Sequence, residues 1–229
     1  MKNIIITLSI ILLLCNTHLL SAQSSRINFN VGYGTYKLEN QKDILEQAQV
    51  YDSKTLTSFP GNVYYSGSLE FLIKKNHLLG FNMMYLYTGG RNHIRDYSGE
   101  YKLDIQVNAI RFGGGYKTRI FENATQKLRL DLGLNVGIIW SDFNATETLA
   151  IYNYDSDSMD VSYKYAAPFA EPQLTLSYLL GKGLYITGNL GYELDINHQI
   201  GWFDSDEYKR GIRTDWSGLR ASVGFSYVI

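Results

Sequence analysis

The segment that most constrains the fold spans residues 216–229 and reads WSGLRASVGFSYVI. Its apolar residues alternate with small or polar ones, and the apolar face comprises Leu219, Ala221, Val223, Phe225, Tyr227 and Ile229. Strict alternation over this length is typical of a β-strand with one apolar face. Because an apolar strand at a sheet edge promotes aggregation, we expect this strand to close a barrel whose apolar face meets lipid.

The composition agrees with a membrane β-barrel. The mean hydropathy of −0.17 is too low for a helical membrane protein, but it suits a barrel because only every second strand residue faces lipid. The 19 tyrosines fit bilayer interfaces, where an apolar ring meets a wetted hydroxyl group. A net charge of −1 gives no reason to expect a nucleic-acid partner.

The first 22 residues have the pattern of a secretory signal peptide. Lys2 supplies the positive start, residues 4–14 are apolar, and residues 20–22 form a small-residue cleavage site. The apolar run is too short to cross a bilayer as a helix. We predict cleavage after Ala22, which leaves residues 23–229 as one barrel domain without cysteine. Lipoprotein processing at Cys15 is the alternative, although the bulky Leu14 before it departs from that pattern.

Period-two alternation recurs along the chain and predicts about eight strands. They span residues 26–38, 62–74, 78–88, 100–121, 127–143, 165–180, 184–196 and the last segment. Their connections alternate between long and short, as in bacterial outer-membrane barrels. The long connections are residues 39–61 (with a short helix at 41–49), 89–99, 144–164 and 197–215. The sequence therefore predicts an all-β, closed, antiparallel, up-and-down transmembrane barrel.

The fourth predicted strand changes phase. Its first half places four apolar residues on the lipid side: Leu103, Ile105, Val107 and Ala109. Its second half has an apolar set of opposite parity that begins at Ile110. Without a shift, Arg111 would face lipid, at a cost of about 2–4 kcal/mol near the bilayer midplane. We therefore predict a β-bulge near Ala109 and Ile110.

The inward faces of the predicted strands carry charges of both signs. These residues are Glu70, Asp104, Arg111, Arg129, Asp131, Glu193 and Arg220. An eight-stranded barrel has an interior just wide enough for side chains to fill, so we expect the charges to pair in a hydrogen-bonded plug. A polar lumen that passes small solutes, as in larger barrels, is the alternative.

The predicted loops hold a candidate calcium site. Asp155, Asp157 and Asp160 form a D-x-D-x-x-D cluster, and spaced carboxylates can ligate Ca²⁺. The glycine turn and the later glutamate of an EF-hand loop are missing, so we predict a solvated acidic loop and no metal site. Trp140, Trp216, Tyr87 and Tyr101 are assigned to the aromatic belt at the membrane interface.

A catalytic role requires a nucleophile beside a base. His77, His93 and His198 stand in predicted turns or loops, and none forms a barrel-lipase motif with a serine. We therefore predict that the protein is not an enzyme and uses no cofactor. A barrel enzyme that acts on lipid is an alternative, and a soluble or periplasmic lipocalin-like barrel, with its apolar faces turned inward, is another.

The chain resembles the small outer-membrane β-barrel family of didermal bacteria, often described as porin-like. The signal peptide, the strand–loop alternation and the terminal GLRASVGFSYVI carry this resemblance. It implies location in the bacterial outer membrane, contact with outer-membrane lipids, and recognition of the last strand by the barrel-assembly machinery. That signal would comprise Phe225, Tyr227 and Ile229, where the family usually ends in an aromatic residue. We expect a monomer with a structural or surface-interaction role and an unknown ligand at the outer loops.

Overall fold

The computed structural model describes residues 24–47, 54–152, 156–196 and 214–229. The predicted signal peptide and Cys15 lie outside these ranges. One helix and nine strands are described: β1 (Ser25–Gly34), α1 (Glu39–Gln47), β2 (Lys54–Ser58), β3 (Asn62–Lys74), β4 (His77–Arg95), β5 (Gly99–Glu122), β6 (Leu128–Ile151), β7 (Asp157–Gly181), β8 (Leu184–Asp195) and β9 (Gly218–Val228). No helix in the described ranges is long and apolar enough to cross a membrane.

Eight of the described strands form a closed antiparallel ring. Consecutive strands pair from β3 to β9, and β1 pairs with both β3 and β9. The short β2 lies outside the ring order and pairs with the later part of β4. In the last strand, Phe225 lies opposite Phe29 of β1 and Ile186 of β8. The closed up-and-down barrel is therefore confirmed, with the last strand lying between β1 and β8.

The two ends of the barrel differ. The inner end holds the start of β1, the finish of β9 and three short turns, at residues 75–76, 123–127 and 182–183. In the last of these turns, Lys182 and Gly183 have φ angles of +47° and +79°, which fit a type I′ hairpin. The outer end holds α1. A short helix was predicted here at residues 41–49, and the observed helix spans Glu39–Gln47, so it begins two residues earlier.

Two of the predicted long outer loops are largely strand. β5 and β6 have 24 residues each and β7 has 25, whereas a strand needs about 9–11 residues to cross a bilayer. The outer parts of β4 to β7 therefore form one sheet beyond the membrane, which we call the outer ridge (residues 89–109, 141–151 and 157–167). The loop assignments at 89–99 and 144–164 are wrong for the residues that pair as strands, where polar residues such as Arg91, Asn144 and Lys164 occupy the outward face of the ridge.

A broad apolar belt covers the outside of the ring. Its members alternate with inward residues on every ring strand, as predicted, and are exposed in the protein alone. They include Phe29, Val31, Tyr65, Leu79, Phe81, Met83, Phe112, Leu132, Leu134, Val136, Leu174, Leu176, Ile186, Leu190, Val223 and Phe225. An apolar surface this extensive belongs in lipid, since single-chain proteins in water rarely expose one.

The predicted bulge near Ala109 and Ile110 is absent, and that prediction is wrong. β5 pairs with β4 without a shift from Glu100 to Thr118. Its pairing with β6 shifts only between Arg119 and Phe121, close to the inner end. The residues of odd number from Leu103 to Arg111 all point inward and are buried. No phase change is needed because the outer half of the barrel interior is itself apolar.

We expect Leu134→Arg to destabilise the folded barrel in lipid by about 2–4 kcal/mol, because Leu134 lies at the middle of the apolar belt. The matched control is Asn144→Arg, on the outward face of the same strand but in the ridge. The free energy of unfolding in lipid vesicles, measured by urea titration, compares them. Equal losses for the two variants would contradict the placement of the belt.

Candidate functional site

Charged side chains fill the inner end of the lumen, in what we call the inner ion cluster. The Lys117 Nζ atom lies 2.7 Å from Glu70 Oε1. The Arg26 Nη1 atom lies 3.4 Å from Asp131 Oδ2 and 3.7 Å from Glu70 Oε2. Near the mouth, Glu122 accepts a 2.7 Å hydrogen bond from Arg129 Nε, and Arg119 approaches both Asp131 and Glu122. Each buried carboxylate of the cluster therefore has a cationic partner.

Neutral polar side chains occupy the middle of the lumen. Asn135 Nδ2 donates to Gln173 Oε1 at 3.0 Å and to Glu171 Oε2 at 3.1 Å. Asn189 Nδ2 donates to Asn30 Oδ1 at 3.1 Å, and Asn82 Nδ2 donates to Asn135 Oδ1 at 3.2 Å. A cavity of about 50 Å³ lies among these residues, with room for a few water molecules.

Four charged residues close the lumen above this layer, in what we call the outer ion cluster. The two terminal nitrogens of Arg111 each lie 2.6 Å from a carboxylate, one on Glu171 and one on Glu193. Arg220 Nη2 lies 3.6 Å from the second oxygen of Glu193. All four side chains are at most 4% exposed. Charges buried this deeply are tolerated in a protein only when they are paired and hydrogen-bonded.

Aromatic rings and backbone carbonyls complete the outer ion cluster. The Arg111 guanidinium lies 4.5 Å from the ring centroid of Phe169, and that of Arg220 lies 4.8 Å from Tyr36. Arg220 Nη2 also donates to Trp216 O at 2.6 Å. These contacts hold each cation from a second side, so both guanidinium groups are fixed in position.

The outer half of the lumen is an apolar core. Its fully buried members include Leu38, Leu45, Leu86, Ile105, Val107, Ile139 and Trp216. Trp216 packs edge-on against Tyr36 with ring centroids 5.0 Å apart, and its Nε1 donates to Ser141 Oγ at 2.7 Å. Above the outer ion cluster, the lumen is therefore filled by apolar side chains rather than by the hydrogen-bonded charges that the sequence predicted.

The helix α1 covers this apolar core. Leu45 and Gln41 are four residues apart and lie on the same buried helix face. Gln41 Nε2 donates to Tyr163 Oη at 3.3 Å and to Thr214 Oγ1 at 3.4 Å. Asn92 Nδ2 donates to Leu45 O in the last turn. The helix is therefore held to β4, to β7 and to the segment before β9.

Six of the seven residues predicted for the lumen lie inside the barrel. Glu70, Arg129 and Asp131 belong to the inner ion cluster, whereas Arg111, Glu193 and Arg220 belong to the outer ion cluster. Five of them are buried, and Arg129 lies at the inner mouth with its guanidinium 4.8 Å from the Tyr185 ring centroid.

The assignment of Asp104 to the lumen is wrong. The unbroken register of β5 places it on the outward face of the ridge, where it pairs with Arg91 and Lys102. Partial burial acts to raise the pKa of its carboxyl group, but hydrogen bonds from Arg91 and Lys102 and their charges outweigh this and lower the pKa below its usual value. Asp104 is therefore a charged surface residue above the belt.

Four members of the two ion clusters were missed at the sequence level: Arg26, Lys117, Arg119 and Glu171. Glu122 was placed in a turn, and it pairs with Arg129 beside that turn. Strand parity would have found Arg26, which alternates with Ile27 at the start of β1. Glu171 stands between Pro168 and Pro172, and proline is unusual inside a regularly paired strand. β7 nevertheless pairs with β6 through both prolines, and near the prolines its pairing with β8 skips Glu171 and Pro172.

Two aromatic residues assigned to the interfacial belt are inside the barrel. Trp216 is fully buried in the apolar core, and Tyr101 is buried at its upper edge. Both residues are buried because the interior of the outer half is apolar. Trp140 and Tyr87 are exposed on the outward face, as the belt assignment requires.

The remaining predicted sites lie outside the lumen. Phe225 and Tyr227 point outward at the inner end of β9, and the exposed Ile229 follows directly after this strand. Asp157 and Asp160 lie exposed on the ridge part of β7, and Asp155 lies outside the described residues. Within the described ranges, no group of three or more His, Cys, Asp or Glu residues is arranged to hold a metal ion.

The histidines considered for catalysis have other partners. His77 Nδ1 lies 2.6 Å from Tyr116 Oη at the inner end. His93 Nε2 lies 2.9 Å from Glu100 Oε1 on the ridge. His198 falls outside the described part of the chain. Neither described contact joins a histidine to a serine.

Comparisons with known proteins show similarity at the level of structure. No protein-family model matches the sequence, and no curated protein matches it. One similar solved structure is Ail, the attachment invasion locus protein of Yersinia pestis, with 11% identity and a TM-score of 0.40 over 90% of this chain and 99% of that one.

Two further solved structures show the same level of similarity. The outer membrane protein OprG of Pseudomonas aeruginosa has 13% identity and a TM-score of 0.44 over 91% and 96% of the two chains. The outer membrane protease OmpT of Escherichia coli has 10% identity and a TM-score of 0.42 over 91% and 98%.

The fold assignment rests on the geometry of this chain. The eight-stranded ladder closes on itself, the outward face is apolar around the ring, and the charges of the lumen are paired within it. Only a closed barrel lets strands cross lipid without unpaired backbone groups. The protein has the fold of an eight-stranded outer-membrane β-barrel.

Proposed function

We propose that the protein is a monomeric barrel of the bacterial outer membrane with a structural or surface-interaction role and a lumen that does not conduct. In this orientation the inner end faces the periplasm and the outer ridge faces the cell exterior. The apolar belt supports contact with outer-membrane lipids. The outward placement of Phe225, Tyr227 and Ile229 on the last strand supports recognition by the barrel-assembly machinery.

The filled outer half of the lumen carries this proposal. Leu86, Ile105 and Ile139 come from three different strands and are fully buried in the apolar core. Helix α1 lies over them, and the outer ion cluster lies beneath them. A hydrated ion would have to displace both layers in order to pass, and each layer is stabilised by packing or by paired charges.

We expect no single-channel steps when the full-length protein is inserted into planar bilayers. A conducting porin reconstituted in the same bilayers is the control for the recording, and protease protection in vesicles verifies insertion. Clear, reproducible steps from the inserted protein would contradict a closed lumen and favour a channel for small solutes.

The outer ridge supports a surface-interaction role. Its lumen-side face carries apolar residues above the core that are about half exposed or more, including Leu149, Ile151 and Met159. Leu149 lies opposite Tyr101 on β5 and next to the pair formed by Glu147 and Met159. An apolar patch beyond the membrane marks a surface that contacts other molecules. We propose the ridge, rather than four flexible loops, as the contact surface.

We also propose that the barrel is not an enzyme and uses no cofactor. The hydrogen bond of His77 to Tyr116 and that of His93 to Glu100 support this proposal, because neither places a base beside a nucleophilic hydroxyl group of serine. We expect the protein to form no new lipid products when it is incubated with outer-membrane lipids. New products that form with the wild-type protein but not with His93→Ala would contradict this proposal.

A further inference from the structure

Each short turn at the inner end carries exposed lysine. Lys74 and Lys75 lie at the turn between β3 and β4, Lys127 precedes β6, and Lys182 occupies the turn between β7 and β8. All four side chains are exposed. We call these four residues the lysine collar.

The positive charge of the collar is not neutralised within the described part of the protein. None of the four lysines forms an ion pair there. The three side-chain carboxylates of the inner ion cluster, on Glu70, Glu122 and Asp131, already pair with its cations. That cluster itself has one more cation than carboxylates, so it adds to the positive charge rather than cancelling it.

The opposite end of the barrel has the opposite balance. In the described ranges, acidic side chains outnumber basic ones on the ridge and on α1. Each carboxylate on these exposed surfaces repels an anion, whereas the lysine collar attracts one. Within the described ranges, the two ends of the barrel therefore carry net charges of opposite sign.

The apolar belt fixes the depth of the collar in the bilayer. Ile73 directly precedes Lys74 and is 57% exposed, and Leu180 is 54% exposed just before the turn that holds Lys182. At the β5–β6 turn, Phe121 is 51% exposed, a few residues from Lys127. Residues that follow directly on lipid-facing side chains lie at the level of lipid headgroups.

We propose that the lysine collar binds the phosphate groups of anionic phospholipids in the leaflet at the inner end. A lysine ammonium group is a compact point charge that suits phosphate, and its flexible stem reaches headgroups beside the barrel. Three turns spaced around the ring hold anionic lipids as an annulus rather than at one pocket. This proposal rests on the membrane placement proposed above and adds a lipid class to it.

The test is native mass spectrometry of the full-length protein released from micelles that contain equal amounts of phosphatidylglycerol and phosphatidylcholine. We expect the wild-type protein to retain phosphatidylglycerol preferentially. The collar variant combines Lys74→Gln, Lys75→Gln, Lys127→Gln and Lys182→Gln. Its ratio of retained phosphatidylglycerol to phosphatidylcholine falls by about fivefold for each lysine removed, as expected for one surface charge near an anionic membrane. Added salt reduces the wild-type preference because exposed charges are screened.

The matched control replaces three lysines near the outer end, in Lys37→Gln, Lys42→Gln and Lys164→Gln, and keeps the wild-type preference. The proposal is overturned if the wild-type protein retains both lipids equally, if the collar variant keeps its preference, or if the control loses as much as the collar variant. Insertion of all three proteins into phosphatidylcholine vesicles is measured separately. Failure to insert there would reject the membrane placement, whereas normal insertion without lipid preference would reject only the collar.

Discussion

We expect Arg111→Ala to lower the free energy of unfolding by about 3–5 kcal/mol, one of the two largest effects predicted for a single residue. Arg111 is 2% exposed and contacts Glu171 and Glu193 at 2.6 Å each. Its removal leaves two carboxylates in the lumen with Arg220 as the nearest remaining cation of their cluster. Unfolding by urea in lipid vesicles, followed by tryptophan fluorescence, measures the loss.

Arg91→Ala is the matched control for this prediction. Arg91 also pairs with a carboxylate, that of Asp104, but its side chain is 50% exposed on the ridge. Exposed pairs contribute about 0–1 kcal/mol because water and salt screen them. A loss below about 1 kcal/mol for Arg111→Ala would mean that its carboxylates are solvated, which would contradict a filled lumen.

Trp216→Ala is expected to destabilise the barrel by about 3–5 kcal/mol, because it removes the largest side chain of a packed core and leaves a cavity. The indole is fully buried, contacts Tyr36 and donates to Ser141 Oγ. The substitution also leaves the Ser141 hydroxyl group without this donor in an apolar surrounding. The same urea titration, followed by circular dichroism, measures the change.

Trp140→Ala is the control, since Trp140 lies on the outward face of β6 and is 41% exposed. Lipid chains can fill the space that this indole leaves, so we expect a loss of about 1 kcal/mol or less. If the two tryptophan variants were equally destabilised, both indoles would occupy similar surroundings, and the apolar core would not exist as described.

Strand parity made the membrane-facing half of the fold predictable. On β6, Leu132, Leu134 and Val136 alternate with inward residues such as Asp131 and Asn135, and the structure keeps this order. The same argument placed Phe225 and Tyr227 on the outward face of the last strand. Parity succeeds there because a lipid-facing side chain must be apolar, whichever strand it belongs to.

Strand parity alone could not predict which face of each strand points inward in the outer half of the barrel. If apolar always meant outward, Leu103, Ile105 and Val107 would face lipid, and a bulge would be needed to keep Arg111 inside. Beyond the membrane the rule reverses, because water surrounds the ridge and the apolar face turns inward, as in a soluble protein. The length of β5, β6 and β7 beyond the bilayer, which the sequence did not reveal, determines where this reversal occurs.

The central feature of this barrel is that its polarity inverts beyond the apolar belt. Residues 23–229 contain no cysteine, so single cysteines can be placed at positions 103 to 108 of β5 and treated with a membrane-impermeant maleimide in reconstituted vesicles. We predict labelling at positions 104, 106 and 108, which lie on the outward, water-facing side of the ridge. We predict protection at positions 103, 105 and 107, which lie in the apolar core. Labelling of the odd-numbered positions with protection of the even-numbered ones would contradict the account.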